Sequence, residues 1–259
     1  MDQQGTDRAR KERHRRYAAP AWVLGFSVLL SVVTIGAHET NSSTRPRFLA
    51  TGDQQLTQYR AFRRMHAKSD RFDQEGWLDA WTEFDQRGFR YHILSERGSE
   101  TVRNKVLKAV LKREQELIEK GHEYRAALTE ENYVFTDDQP QRDGLRYVLM
   151  KPKRKEVTLV DGHMVLSPDG SELLRIEGRL AKNPSFWTSL VNVIRRFAKV
   201  DGVRVPVSTE SVAKVKFAGR SRLDVFYEYE SINGRPVSNA ARRILAAANH
   251  ATSSGPVQK

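Results

Sequence analysis

The first strong pattern along the chain is a run from Ala18 to Ala37, AAPAWVLGFSVLLSVVTIGA, that holds no charge. Six bases precede it (Arg8, Arg10, Lys11, Arg13, Arg15 and Arg16), and polar residues follow at once from His38 to Ser43. A cationic stretch, an apolar stretch and a small residue, in that order, compose an export signal. About 20 apolar residues also suffice to span a bilayer, so a cleaved signal and a retained anchor are both open. The bases hold the N-terminus in the cytoplasm and place the chain after Ala37 beyond the membrane. His38 to Thr51 is polar, contains Pro46 and reads as a linker. The expected division is residues 1–37 for signal or anchor, 38–52 for linker, 53–235 for the main domain and 236–259 for a C-terminal tail.

Beyond the linker the hydrophobic period changes repeatedly. Leu56, Tyr59, Phe62 and Met65 recur at steps of three, which predicts a helix from Asp53, as N-cap, to about Lys68. Between Gly76 and Ser95, Trp77, Trp81, Phe84, Phe89, Tyr91 and Ile93 surround a break at Gln86-Arg87-Gly88, which predicts a β-hairpin. Glu100 to Ala127 returns to helical spacing, with Val102, Val106, Val110 and Leu117 as one stripe. Asp137-Asp138-Gln139-Pro140 reads as a loop.

From Leu145 onward strand signal dominates. It is punctuated at Asp161-Gly162, Pro168-Asp169-Gly170, Asn183-Pro184, Asp201-Gly202 and Ala218-Gly219-Arg220. Eight to ten strands joined by short turns predict an antiparallel meander, followed by the short helix-like ARRILAAANH in the tail. The fold class is therefore α+β: two helices and then a large curled antiparallel sheet, preceded by the N-terminal apolar helix; the open half-barrel covered by helices is what the family resemblance described below implies. A sheet of that size must close, split into layers or be capped.

Charge and composition narrow the chemistry. The chain carries a net charge of +12, which suits anionic lipid head groups or other polyanions. An exported location argues against nucleic acid as the partner. There is no cysteine, so disulfides, thiolate chemistry and cysteine-ligated metals are excluded together. No phosphate-binding glycine loop, serine-nucleophile elbow or paired-histidine zinc helix is present. The seven histidines are scattered, without metal-ligand spacing, and acidic pairs such as Asp137-Asp138 sit in polar segments where solvation explains them. No catalytic residue, metal or cofactor is therefore assigned. Asn41-Ser42-Ser43 fits a glycosylation sequon in the linker. The feature that stands out is aromatic density in the strands. For most of these aromatics the first reading is the core of a sheet packed on helices; the functional one is that some line an apolar cavity.

The order of elements resembles a known family. The Trp-bearing hairpin EGWLDAWTEFDQRGFRYHIL, the segment VTLVDGHMVLSPDGSELLRIEGRLAKNPSFW and the segment RRFAKVDGVRVPVSTES resemble the lipoprotein-carrier fold of LolA, LolB and their relatives. The likeness runs from about Gln54 to Ile232. The helix around Arg103–Arg113 looks like an insertion relative to the soluble carrier.

The resemblance implies an unclosed barrel whose helical lid encloses a cavity for acyl chains. The expected lining is Trp81, Phe89, Tyr91, Ile93, Val106, Val110, Tyr147, Leu149, Leu174 and Ile176. Arg103, Lys105, Lys108 and Lys112 are expected to meet membrane head groups. The function expected is a non-enzymatic carrier or sensor for a lipid or lipidated protein, exported to the periplasm or held at the outer face of the inner membrane. The alternatives are an envelope module that binds a protein partner through the same fold and, last, a hydrolase whose site the sequence does not display.

Overall fold

The computed structural model describes residues 53–71, 73–186, 188–216 and 219–250, with backbone alone at 138–142 and 249–250. The apolar run Ala18–Ala37, the linker up to residue 52 and the sequon lie outside the described residues. Among the described residues no helix is long and apolar enough to cross a membrane.

The fold is one large open antiparallel sheet of eleven strands. In chain order these are β1 (Tyr59–Ser69), β2 (Gln74–Asp85), β3 (Gly88–Gly98), β4 (Tyr133–Arg142), β5 (Leu145–Pro152) and β6 (Val160–Leu166). They continue with β7 (Leu173–Leu180), β8 (Thr188–Val200), β9 (Val203–Val215), β10 (Gly219–Ile232) and the two-residue β11 (Arg235–Pro236). Their spatial order is β3-β2-β1-β10-β9-β8-β7-β6-β5-β4, with β11 paired to β10. The only break in sequence order, β1 beside β10, joins a three-stranded N-terminal unit to the C-terminal meander.

Between β3 and β4 runs α1, a composite of Glu100–Val102, a π-helical turn Arg103–Leu107 and the α-helix Lys108–Glu119. The described residues end in α2, Asn239–His250.

The predicted N-terminal helix is a strand. Tyr59, Ala61, Arg63, Met65, Ala67 and Ser69 are buried in strict alternation, the two-residue period of a sheet. Ala61 and Ala67 are too small, and Arg63 too polar, to register as core positions, so Tyr59, Phe62 and Met65 imitated a helical stripe. Asp53 is not an N-cap; its carboxylate holds Arg204 and Lys199 (2.8 Å), pinning the chain's entry to β8 and β9. The Asp137–Pro140 segment lies within β4 rather than in a loop. Asp161-Gly162 is not a turn either, since β6 runs straight through it. Gly162 faces Gly178 across β6–β7, and a Cβ on Gly162 would come within 2.1 Å of the Glu177 carbonyl oxygen. The turn at Asp201-Gly202 does form, with φ of 51° and 82°.

The sheet curls. One small void is lined from β4, β5, β6, β7 and β8 together by Tyr133, Met150, Val160, Ile176 and Arg195. In a flat sheet four strand steps would separate β4 from β8 by roughly 19 Å.

The helix α1 covers the face of β1–β3 that carries the buried alternation. Val102, Val106, Leu107, Val110 and Leu111 join Ala61, Met65, Leu78 and Val225 in one core. The π turn brings the adjacent residues Val106 and Leu107 both inward. Gly76 leaves room for this approach, because a Cβ there would lie 3.1 Å from Val102 Cγ1. A second core, including Leu128, Phe135, Met150, Met164 and Phe197, fills the β4–β8 half. The helix α2 packs Ala241 and Leu245 against the β8–β10 end.

One polar contact crosses the first core. Arg63 on β1 donates to both carboxylate oxygens of Glu114 on α1, at 2.6 and 3.0 Å, with side chains 1 % and 3 % exposed. It also donates to Tyr59 Oη at 2.7 Å and lies over the rings of Phe89 and Tyr227. Removing one partner leaves the other charge buried and uncompensated. Glu114→Ala is therefore expected to lower unfolding free energy by about 3–5 kcal/mol in urea titrations, while Arg63→Met with Glu114→Leu recovers most of it.

Candidate functional site

The residues expected to line a cavity divide among several environments. Phe89, Val106 and Val110 are consumed by packing beneath α1, each no more than 2 % exposed. Tyr91 and Ile93 flank that core, half-buried. Ile176 belongs to the second core and borders its void, whose volume of about 30 Å³ has room for a water and no more. Leu174 is half-buried at the register shift between β6 and β7, while Tyr147 and Leu149 alternate with the buried Val148 and Met150 and so lie on the opposite face of the sheet. There Tyr147 Oη accepts from Arg175 at 3.1 Å.

Trp81 is the member of the set that borders a substantial space. On β1, β2 and β10 the residues facing away from α1 are Phe62, Arg64, Trp81, Phe226, Glu228 and Glu230, placed by the pairs Phe62–Trp81, Phe62–Glu228 and Arg64–Phe226. With Arg242, Leu245 and Ala246 of α2 they line a groove of about 720 Å³, within the size range of small-molecule sites. Phe62 and Trp81 meet edge-on, 5.6 Å between centroids, and form its aromatic floor.

The groove's charges are largely matched on the strands. Arg64 pairs with Glu228 at 2.9 Å, and Arg60 bridges Glu83 and Glu230 at 3.3 and 3.0 Å while its guanidinium covers Trp81 at 4.6 Å. Arg242 is exposed at the rim and has no ion-pair partner among the described residues. The groove thus offers an apolar floor with one uncommitted positive charge at its edge.

The four basic residues expected at head groups also divide. Arg103 and Lys108 both reach Glu96 on β3, at 3.7 and 2.8 Å, whereas Lys105 and Lys112 are exposed. Among the described residues no group of three or more His, Asp or Glu side chains is placed to hold a metal ion.

Sequence reasoning missed Phe62, Phe226, Glu228, Glu230 and Arg242. Reading β1 as a helix hid Phe62. Phe226 and Tyr227 are adjacent aromatics whose side chains fall on opposite faces of β10, and both positions border the groove. The signal that could have found them is the Arg60–Phe62–Arg64 alternation opposite Glu228–Glu230, a charge-and-aromatic face with period two.

On the inner face the electrostatics favour neutral phenols. Burial raises the pKa of Tyr59 and Tyr229 far above the usual tyrosine range, and pushes Tyr133 and Tyr227 up to about 12. Burial also lowers Arg195, while the Glu114 carboxylate and Tyr227 oppose that drop. Arg63 stays firmly charged: burial works against the cation, and Glu114 outweighs it.

No protein-family model matches this chain, and no curated protein does. Among solved structures it is similar to a DUF1329 family protein from Desulfovibrio piger, at 10% sequence identity and a TM-score of 0.34. That alignment covers 68% of this chain and 85% of the other.

The buried phenols yield a pH prediction. Their folded pKa values lie above the ordinary 10.0, so the stability they contribute is complete below pH 10 and is lost as pH rises towards about 12. In an alkaline titration followed at the phenolate absorbance band, these four of the eight tyrosines should ionise only together with loss of strand ellipticity. Reversible ionisation of all eight near pH 10 in a folded protein would contradict it.

Proposed function

We propose that this chain is a non-enzymatic binding protein of the cell envelope that holds an amphiphile in the groove between α2 and the sheet. The groove carries this reading. Its aromatic floor of Phe62, Trp81 and Phe226 suits an acyl chain, and the uncommitted Arg242 suits an anionic end group. The neighbouring Arg and Glu side chains neutralise one another, so they orient a ligand more than they attract one.

The resemblance of the hairpin and later strands to lipoprotein carriers supports a lipid or lipidated protein as cargo. The helical lid in this reading is α2 rather than α1, because α1 is locked onto the opposite face by Arg63–Glu114. The charge-free run Ala18–Ala37, with its preceding bases, supports export to the periplasm or tethering at the outer face of the inner membrane.

Displacement of a fluorescent fatty acid from the full chain tests the proposal. Trp81→Ala, Phe226→Ala and Arg242→Glu should each weaken binding about tenfold, roughly 1.4 kcal/mol, with the circular dichroism spectrum unchanged. Binding indifferent to all three substitutions would refute the groove. No binding, with one stoichiometric envelope protein retrieved instead, would favour the interaction module.

A further inference from the structure

Three connections meet at the end of the sheet away from the Asn233–Gly234 turn. Strand register places them there: Ser69 pairs with both Gln74 and Ser221, Val215 with Gly219, and Thr188 with Val215. They are the β1–β2 connection at 70–73, the β7–β8 connection at 181–187 and the β9–β10 connection at 216–218. The Asp70 amide donates to the Arg220 carbonyl at 3.0 Å, tying the first to the start of β10. Lys216 Nζ lies 4.3 Å from the centroid of the Phe186 ring, tying the third to the second.

Phe186 is 78 % exposed, the highest value among the large exposed hydrophobic side chains described. Around it, Lys182, Lys214, Lys216 and Arg220 are exposed, and none of these four has an ion-pair partner among the described residues. Acids are few at this end: Asp70 and Asp73 are exposed, and Asp73 faces Lys68 at 3.8 Å.

From this arrangement we infer that this end of the sheet docks on an anionic phospholipid surface, with Phe186 entering the interface and the four bases meeting head groups. An aromatic ring at a polar–apolar boundary, ringed by cations, is the side-chain chemistry that such an interface selects. Each base near an anionic leaflet strengthens attachment about fivefold. A single-stranded nucleic acid also favours bases and aromatics. It needs a groove that tracks its backbone, however, whereas Phe186 stands at the tip of a connection. The surface is distinct from the groove and shares with the proposed function only the envelope location.

The absence of native cysteine allows a clean test on the full chain. Ser185→Cys, carrying an environment-sensitive dye beside Phe186, is mixed with vesicles of phosphatidylcholine containing 30% phosphatidylglycerol, a probe composition that presents roughly physiological anionic charge. The dye emission should shift to the blue and become quenchable by brominated lipid. Lys182→Glu and Lys216→Glu should each weaken the response about fivefold or more, as should Phe186→Ser. Any contribution of the N-terminal apolar run is common to all these variants, so it cancels in the comparison. A dye that stays water-exposed on anionic vesicles, a response indifferent to these substitutions, or a response to an oligonucleotide and not to vesicles would each overturn the inference.

Discussion

The bidentate contact between Arg63 and Glu114 decides which face of the sheet can do what. A charge pair this deeply buried holds only if both members are hydrogen-bonded, and here Tyr59 and the rings of Phe89 and Tyr227 complete the enclosure. It fixes α1 over β1–β3 and lets Val102, Val106, Leu107, Val110 and Leu111 fill the space beneath. With that face closed, the open space of the described residues falls on the other side of β1, β2 and β10, under α2. In the proposed reading, binding on one face thus follows from packing on the other.

Curvature is built from local devices that each serve this division. The facing pair Gly162 and Gly178 lets β6 and β7 approach where any Cβ would strike backbone. Register shifts between Asp79 and Ala80, and between Arg196 and Phe197, change which side chains turn inward along β2–β3 and β8–β9. The curl brings Tyr133 near Arg195, so the second core closes almost completely.

Much of the strand-rich half was legible from sequence, because turn residues with positive φ mark the ends of strands: Gly88, Gly170, Asp201-Gly202 and Gly219 all take that conformation. The amphipathic stripe Val102–Val110 was equally legible, since large apolar residues define it. What failed was any position where a small or charged residue fills a core site. Ala61, Arg63 and Ala67 are core residues that look neutral or polar, so β1 passed for a helix. Asp161-Gly162 passed for a turn because a glycine chosen for close strand contact and one chosen for positive φ are the same letter. The groove was hidden for a third reason. It is assembled from β1 and β2 on one side and β10 and α2 on the other, two pairs of elements more than a hundred residues apart in sequence and brought together by the β1–β10 register.

The position of a bound ligand tests this division of faces most directly. A crystal of the complex with a bromine-tagged fatty acid locates the chain by anomalous scattering. The structure predicts bromine density against Phe62, Trp81 and Phe226, with the carboxylate towards Arg242 and the Arg63–Glu114 contact intact. Density between α1 and the β1–β3 face, with that contact broken, would show that the ligand site had been assigned to the wrong side of the sheet.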